Sequence, residues 1–84
     1  ENREIFTEKE IVDSEGNLYR IDRVVIDENN VTVLEFKFGK NVDEQKAISQ
    51  IRKYLELLRE FYPAKTIKGL IYFSSTNTLK TVQI

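Results

Sequence analysis

The chain has 84 residues, no cysteine, no histidine, and 14 acidic against 13 basic side chains, for a formal net charge of −1. Without cysteine there is no disulfide framework, thiolate metal site or thiol nucleophile. Without histidine the usual zinc sites and histidine-based catalysis are excluded, so any metal must be held by oxygen. A hydrophobic share of 40% with 32% charged residues fits one globular domain, residues 1–84, with a thin core. No run of about 18 apolar residues and no signal-peptide pattern is present, so no membrane and a cytoplasmic location are expected. The balanced charge does not by itself mark a nucleic-acid binder. The chain opens on glutamate and contains no methionine, and we expect a piece of a longer polypeptide.

Glu4 to Val12 is the first expected strand, with Ile5, Thr7, Ile11 and Val12 as its β-prone positions. Asp13-Ser-Glu-Gly-Asn17 is a turn signal around Gly16. Leu18 to Ile26 is rich in β-branched residues and forms the second strand. Asp27 to Asn30 makes a four-residue loop. Val31 to Phe38 then alternates strictly, with Val31, Val33, Glu35 and Lys37 on one face and Thr32, Leu34, Phe36 and Phe38 on the other.

Gly39 frees the backbone to turn after this strand. Asp43 is placed to N-cap a helix from about Glu44 to Tyr62, whose apolar stripe is Ala47, Ile48, Ile51, Tyr54, Leu55, Leu58, Phe61 and Tyr62. Pro63 ends it. Thr66 to Ser74 contains a nearly continuous apolar run, which predicts a strand buried on both faces. Strand, helix, strand predicts a right-handed crossover to a strand parallel to Val31–Phe38. After a turn at Ser74–Asn77, Leu79 to Ile84 forms an edge strand. The fold class expected is α+β, a βββαβ(β) mixed sheet with the helix packed on one face.

Loop lengths set the register. If Ile26 faces Val31, Asp22 stands opposite Glu35; if Val12 faces Leu18, Glu8 stands opposite Asp22. Carboxylates directly across a ladder lie roughly 4.5–5.5 Å apart at Cβ and repel one another, so a cation between them is expected. Lys37, roughly 7 Å along the same face from Glu35, is one candidate. A hard divalent cation is another, since Mg²⁺ is usually bound by one or two carboxylates. Glu10 replaces Glu8 in this row if a bulge shifts the strand. Arg20 and Arg23 bracket Asp22, as surface ion-pair partners or as phosphate contacts. On the helix, Gln50 and Tyr54 are one turn apart and present together.

Asp22 in R-I-D-R-V, Glu35-Phe36-Lys37 at the end of the next strand and Gln50-x-x-x-Tyr54 on the following helix together resemble the RecB-type branch of the PD-(D/E)XK nucleases. Glu44-Gln45-Lys46 also fits E-x-K, but only the first copy lies in an alternating strand one hairpin after an aspartate. The resemblance covers nearly the whole chain and implies a restriction-endonuclease-like core lacking its first helix. It implies a metal-dependent DNA nuclease, with Asp22, Glu35 and Lys37 catalytic. Asp22, Glu35, the Phe36 backbone carbonyl and Glu8 would hold Mg²⁺ or Mn²⁺, and Gln50 and Tyr54 would orient water or DNA. Lys37, Lys40, Lys46, Arg52 and Lys53 cluster around this centre. Such modules sit beside a helicase domain in one parent chain, which implies an exonuclease acting in recombination or repair. The competing readings are a non-catalytic DNA-binding or docking domain of the same fold, and an interaction module whose motifs are coincidental.

Overall fold

A computed structural model of the chain, describing residues 3–83, contains β1 (Glu4–Val12), β2 (Leu18–Ile26), β3 (Asn30–Lys37), α1 (Glu44–Phe61), β4 (Thr66–Phe73) and β5 (Thr78–Val82). The strands form one five-stranded sheet in chain order. Neighbours are antiparallel except β3 and β4, which are parallel and joined by α1. A parallel pair cannot be closed by a tight hairpin, so the helix has to cross over the sheet. This is the expected α+β mixed sheet with one helix on one face. Ile84, assigned to the last strand from sequence, lies outside the described residues.

The β1–β2 and β2–β3 hairpins are each built by an aspartate at the strand end. Asp13 Oδ1 accepts from the N–H groups of Glu15 and Asn17, each at 2.9 Å, and Gly16 takes a φ of +87°. Asp27 Oδ1 accepts from the N–H groups of Asn29 and Asn30, at 2.9 and 2.7 Å. A short carboxylate that satisfies two turn amides holds the loop length and therefore the register. Val12 faces Leu18 and Ile26 faces Val31, as the loop lengths require.

Asp43 caps α1, its Oδ1 accepting from the Lys46 N–H at 3.1 Å. At the far end Pro63 excludes helical geometry from Tyr62, which sits at φ −131°, ψ 66°. Asp43→Ala leaves the first-turn amide unpaired and is expected to cost about 1 kcal/mol. In a domain of this size that lowers the thermal midpoint by roughly 4–8 °C. An unchanged midpoint would show that water replaces the cap at no loss.

The core lies between α1 and the sheet. Ile21, Val24, Val31, Val33, Ile51, Leu55 and Ile71 are fully buried. Helix and sheet approach closely over Gly69, where a Cβ would meet Ile51 Cδ1 at 2.7 Å. α1 packs mainly on β3, β4 and β5, and this corrects two sequence expectations. In β4, Ile67, Gly69, Ile71 and Phe73 are buried but Lys68, Leu70 and Tyr72 are half-exposed. One helix covers one face, and none of the described residues covers the other. In α1, Leu57 is buried while Phe61 is 60% exposed, at an open groove that Ile11, Val24 and Leu58 also line.

The β1–β2 pair carries one irregularity that matters for the site. Thr7 pairs with Arg23 and Lys9 with Ile21, so the register passes through unshifted, yet Glu8 and Asp22 drop out of the ladder. Glu8 takes a φ of 55°. Burial changes phase at the same point. Ile26 and Val24 are buried on one side of it, and Ile21 on the other. Both strands thus turn over the face they show to the helix, where a regular pleat would keep even and odd positions apart.

Candidate functional site

The β2–β3 ladder ends at Arg23 and Leu34. Beyond that pair, side chains take over from the backbone. The Asp22 N–H donates to Glu35 Oε2 at 2.8 Å, and the Phe36 N–H donates to Asp22 Oδ2 at 3.0 Å. Each acid therefore satisfies an amide on the opposite strand that the ladder has released. Asp22 and Glu35 are thus joined through backbone amides just past the last ladder pair, and not as a directly paired position of the ladder.

Glu35 is only 5% exposed and is the buried charged side chain among the described residues. It is buried because β3 keeps one pleat phase throughout, which places Glu35 in line with Val31 and Val33 beneath the helix. Burial holds its carboxyl above the usual glutamate range; the Asp22 N–H and the Lys37 ammonium oppose that shift, and the Asp22 carboxylate adds to it. A desolvated acid beside a second acid is a place where a cation is favourable.

Lys37 leaves β3 on the same face, and its Nζ donates to Gln50 Oε1 at 3.3 Å. One turn further along α1, the Tyr54 hydroxyl donates to the Arg20 carbonyl at 3.2 Å. The Tyr54 ring also meets Tyr19 edge-on, with centroids 6.1 Å apart. Burial pushes the Tyr54 phenol up, and the Glu35 and Asp22 charges push it further. The structure thus brings Asp22, Glu35, Lys37, Gln50 and Tyr54 into one neighbourhood, two strands and one helix face meeting where the ladder opens.

Glu8 lies elsewhere. Its Oε1 is 3.8 Å from Arg20 Nη1, and Glu10 Oε2 is 3.3 Å from Arg20 Nη2. The positive φ of Glu8 takes it out of the transverse row, and Arg20 serves as an exposed ion-pair partner. Phe36 joins the centre through its N–H; a ligand role for its carbonyl rests on the resemblance alone. Among the described residues no group of three or more acidic side chains is gathered as a metal cage. Two carboxylates, one of them buried and held toward its neutral form, are a donor set that suits Mg²⁺ or Mn²⁺ with water completing the shell.

Sequence reasoning gave Lys46 no role of its own. With Lys37, Val42, Asp43, Ala47 and Gln50 it lines a cavity of about 260 Å³ beside the centre. Its spacing of four from Gln50 was the available signal.

Comparison with protein-family models, curated proteins and solved structures finds no match to this chain. No helix among the described residues is long and apolar enough to cross a membrane.

Proposed function

We propose that this chain is the core of a metal-dependent DNA nuclease of the RecB-type PD-(D/E)XK kind, hydrolysing phosphodiester bonds. The observation that carries this reading is the buried Glu35 set against Asp22, with Lys37 tied to Gln50 on the same face. Asp22 and Glu35 would hold Mg²⁺ or Mn²⁺. When bound, the ion polarises the phosphoryl group and makes its water more acidic. The Lys37 ammonium then stabilises negative charge that develops on the phosphoryl oxygens. Gln50 fixes the direction of Lys37, and Tyr54 locks the helix to β2 beside the acids. The same reading makes the chain the exonuclease module of a helicase–nuclease, cytoplasmic and acting on DNA in recombination or repair.

The catalytic reading is preferred to a docking domain because Lys37 and Gln50 join the two acids on one face, which capping two backbone amides does not by itself require. The test is Mn²⁺-dependent cleavage of a single-stranded oligonucleotide by the full parent chain, with Lys37→Ala beside wild type. The expected loss is about 10²–10³-fold, with the thermal midpoint unchanged because Lys37 is not in the core. Wild-type cleavage in the variant would remove the assignment.

A further inference from the structure

α1 begins beside the end of β3, and the space between them is the cavity of about 260 Å³ lined by Lys37, Val42, Asp43, Lys46, Ala47 and Gln50. Lys46 and Gln50 stand at i and i+4, on one face of the helix. Lys37 enters the same space from β3 and engages Gln50 Oε1. That bond occupies the carboxamide oxygen of Gln50 and leaves its Nε2 group to donate. Asp43, the acid in the lining, has its Oδ1 engaged by the Lys46 N–H at 3.1 Å. The neighbouring acid, Glu44, is held by Lys80 at 3.1 Å. Two lysines and an amide donor therefore line this one cavity, with Asp43 as the acid among them, in a chain whose formal charge is −1. Val42 and Ala47 supply apolar wall.

The geometry points to a phosphate subsite: the pocket that Lys46 and Gln50 line beside Lys37 holds a non-scissile phosphate of the DNA strand, next to the one at the Asp22–Glu35 centre, with Lys46 as its binding residue. The identity of the strand rests on the nuclease reading; the phosphate specificity rests on the pocket itself. A lysine meets phosphate as a compact point charge, so this contact positions the strand without reading its bases. Lys46 belongs to binding and Lys37 to the reacting phosphate, and their loss should therefore differ in kind.

Inorganic phosphate titrated into the metal-free chain, followed by amide NMR shifts, tests the pocket without any cleavage. Wild type should show saturable shifts at Lys46, Ala47 and Gln50. Lys46→Ala should abolish them and Lys46→Arg should keep them. A short single-stranded DNA oligonucleotide should displace the phosphate. In Mn²⁺-dependent cleavage by the parent chain, Lys46→Ala should raise KM about tenfold, the scale of one charged hydrogen bond, while kcat stays near wild type and the salt dependence of binding weakens. Shifts that survive Lys46→Ala, or wild-type shifts that are absent, overturn the subsite and leave the nuclease reading standing. Phosphate that no oligonucleotide displaces overturns the assignment to a DNA strand. Because the titration needs neither metal nor cleavage, an inactive parent chain does not prevent the pocket from being judged.

Discussion

Glu35→Gln should raise the thermal midpoint of the metal-free domain at pH 7 and abolish its stabilisation by Mn²⁺. The side chain is buried, its carboxyl is held above the ordinary glutamate value near 4.5, and Asp22 repels its charged form. For an acid whose folded-state value is raised, the sign is fixed by linkage. Its favourable contribution is fully present below the ordinary value and is lost as pH rises through the raised one. Above that raised value the wild type therefore carries an ionised, desolvated carboxylate that the unfolded chain keeps in water. Glutamine has the same shape, its carboxamide oxygen still accepts from the Asp22 N–H, and it carries no charge for the Asp22 carboxylate to repel.

The expected result is a higher midpoint, each 1 kcal/mol being worth about 4–8 °C in a domain of this size. The gain should shrink as the pH falls and the wild-type carboxyl takes up its proton. Metal reverses the order. At about 100 times its dissociation constant, Mn²⁺ should add about 2.7 kcal/mol to the wild type and almost nothing to the variant, which has lost one of two carboxylates. Thermal melts at pH 4 and pH 7, with and without Mn²⁺, give all four comparisons. A variant no more stable than wild type at pH 7, or one that keeps the Mn²⁺ shift, would show that Glu35 is an ordinary buried acid.

The second large effect is expected at Gly69, beneath the helix. Gly69→Val places a Cβ 2.7 Å from Ile51 Cδ1, 3.1 Å from Ile51 Cγ1 and 3.4 Å from Leu55 Cδ2. Ile51 and Leu55 are fully buried, so neither can swing aside into solvent. Overpacking of this kind costs about 1–3 kcal/mol, and the stiffer unfolded chain returns less than about 1 kcal/mol. The helix has to lift or slide, which moves Gln50 from Lys37 and Tyr54 from Arg20. Both urea stability and Mn²⁺ affinity should therefore fall together. Ile51→Val removes Cδ1, the nearest clashing atom. It should cost about 0.5–1.5 kcal/mol alone yet recover stability in the Gly69→Val background. Simple addition of the two losses would mean that the clash is not what limits Gly69.

Much of this organisation is legible in the sequence. Alternation in β3 puts Val31, Val33, Glu35 and Lys37 on one face, and that is how they lie. Asp13 and Asp27 mark turns whose lengths determine the β1–β2 and β2–β3 registers. Asp43 and Pro63 bound the helix as capping chemistry requires. Each is a short-range matter, decided by residues within a few positions of one another. The nearness of Asp22 and Glu35 follows from those same rules carried one step further.

What the sequence leaves open is whatever depends on the neighbour across a layer. The apolar run of β4 reads as buried twice, but α1 covers one face only. Leu57 and Phe61 exchange their expected environments because the helix sits over β3, β4 and β5. The turnover of β1 and β2 at Glu8 and Asp22 has no local marker, since Glu8 carries neither glycine nor proline. That turnover sends Glu8 to Arg20 and leaves Asp22 with Glu35. The tie from Lys37 to Gln50 and the approach over Gly69 likewise join residues distant in the chain. Periodicity and turn chemistry determine which residues share a strand face. Only packing decides which of those faces is dry, and a carboxylate's chemistry depends on that.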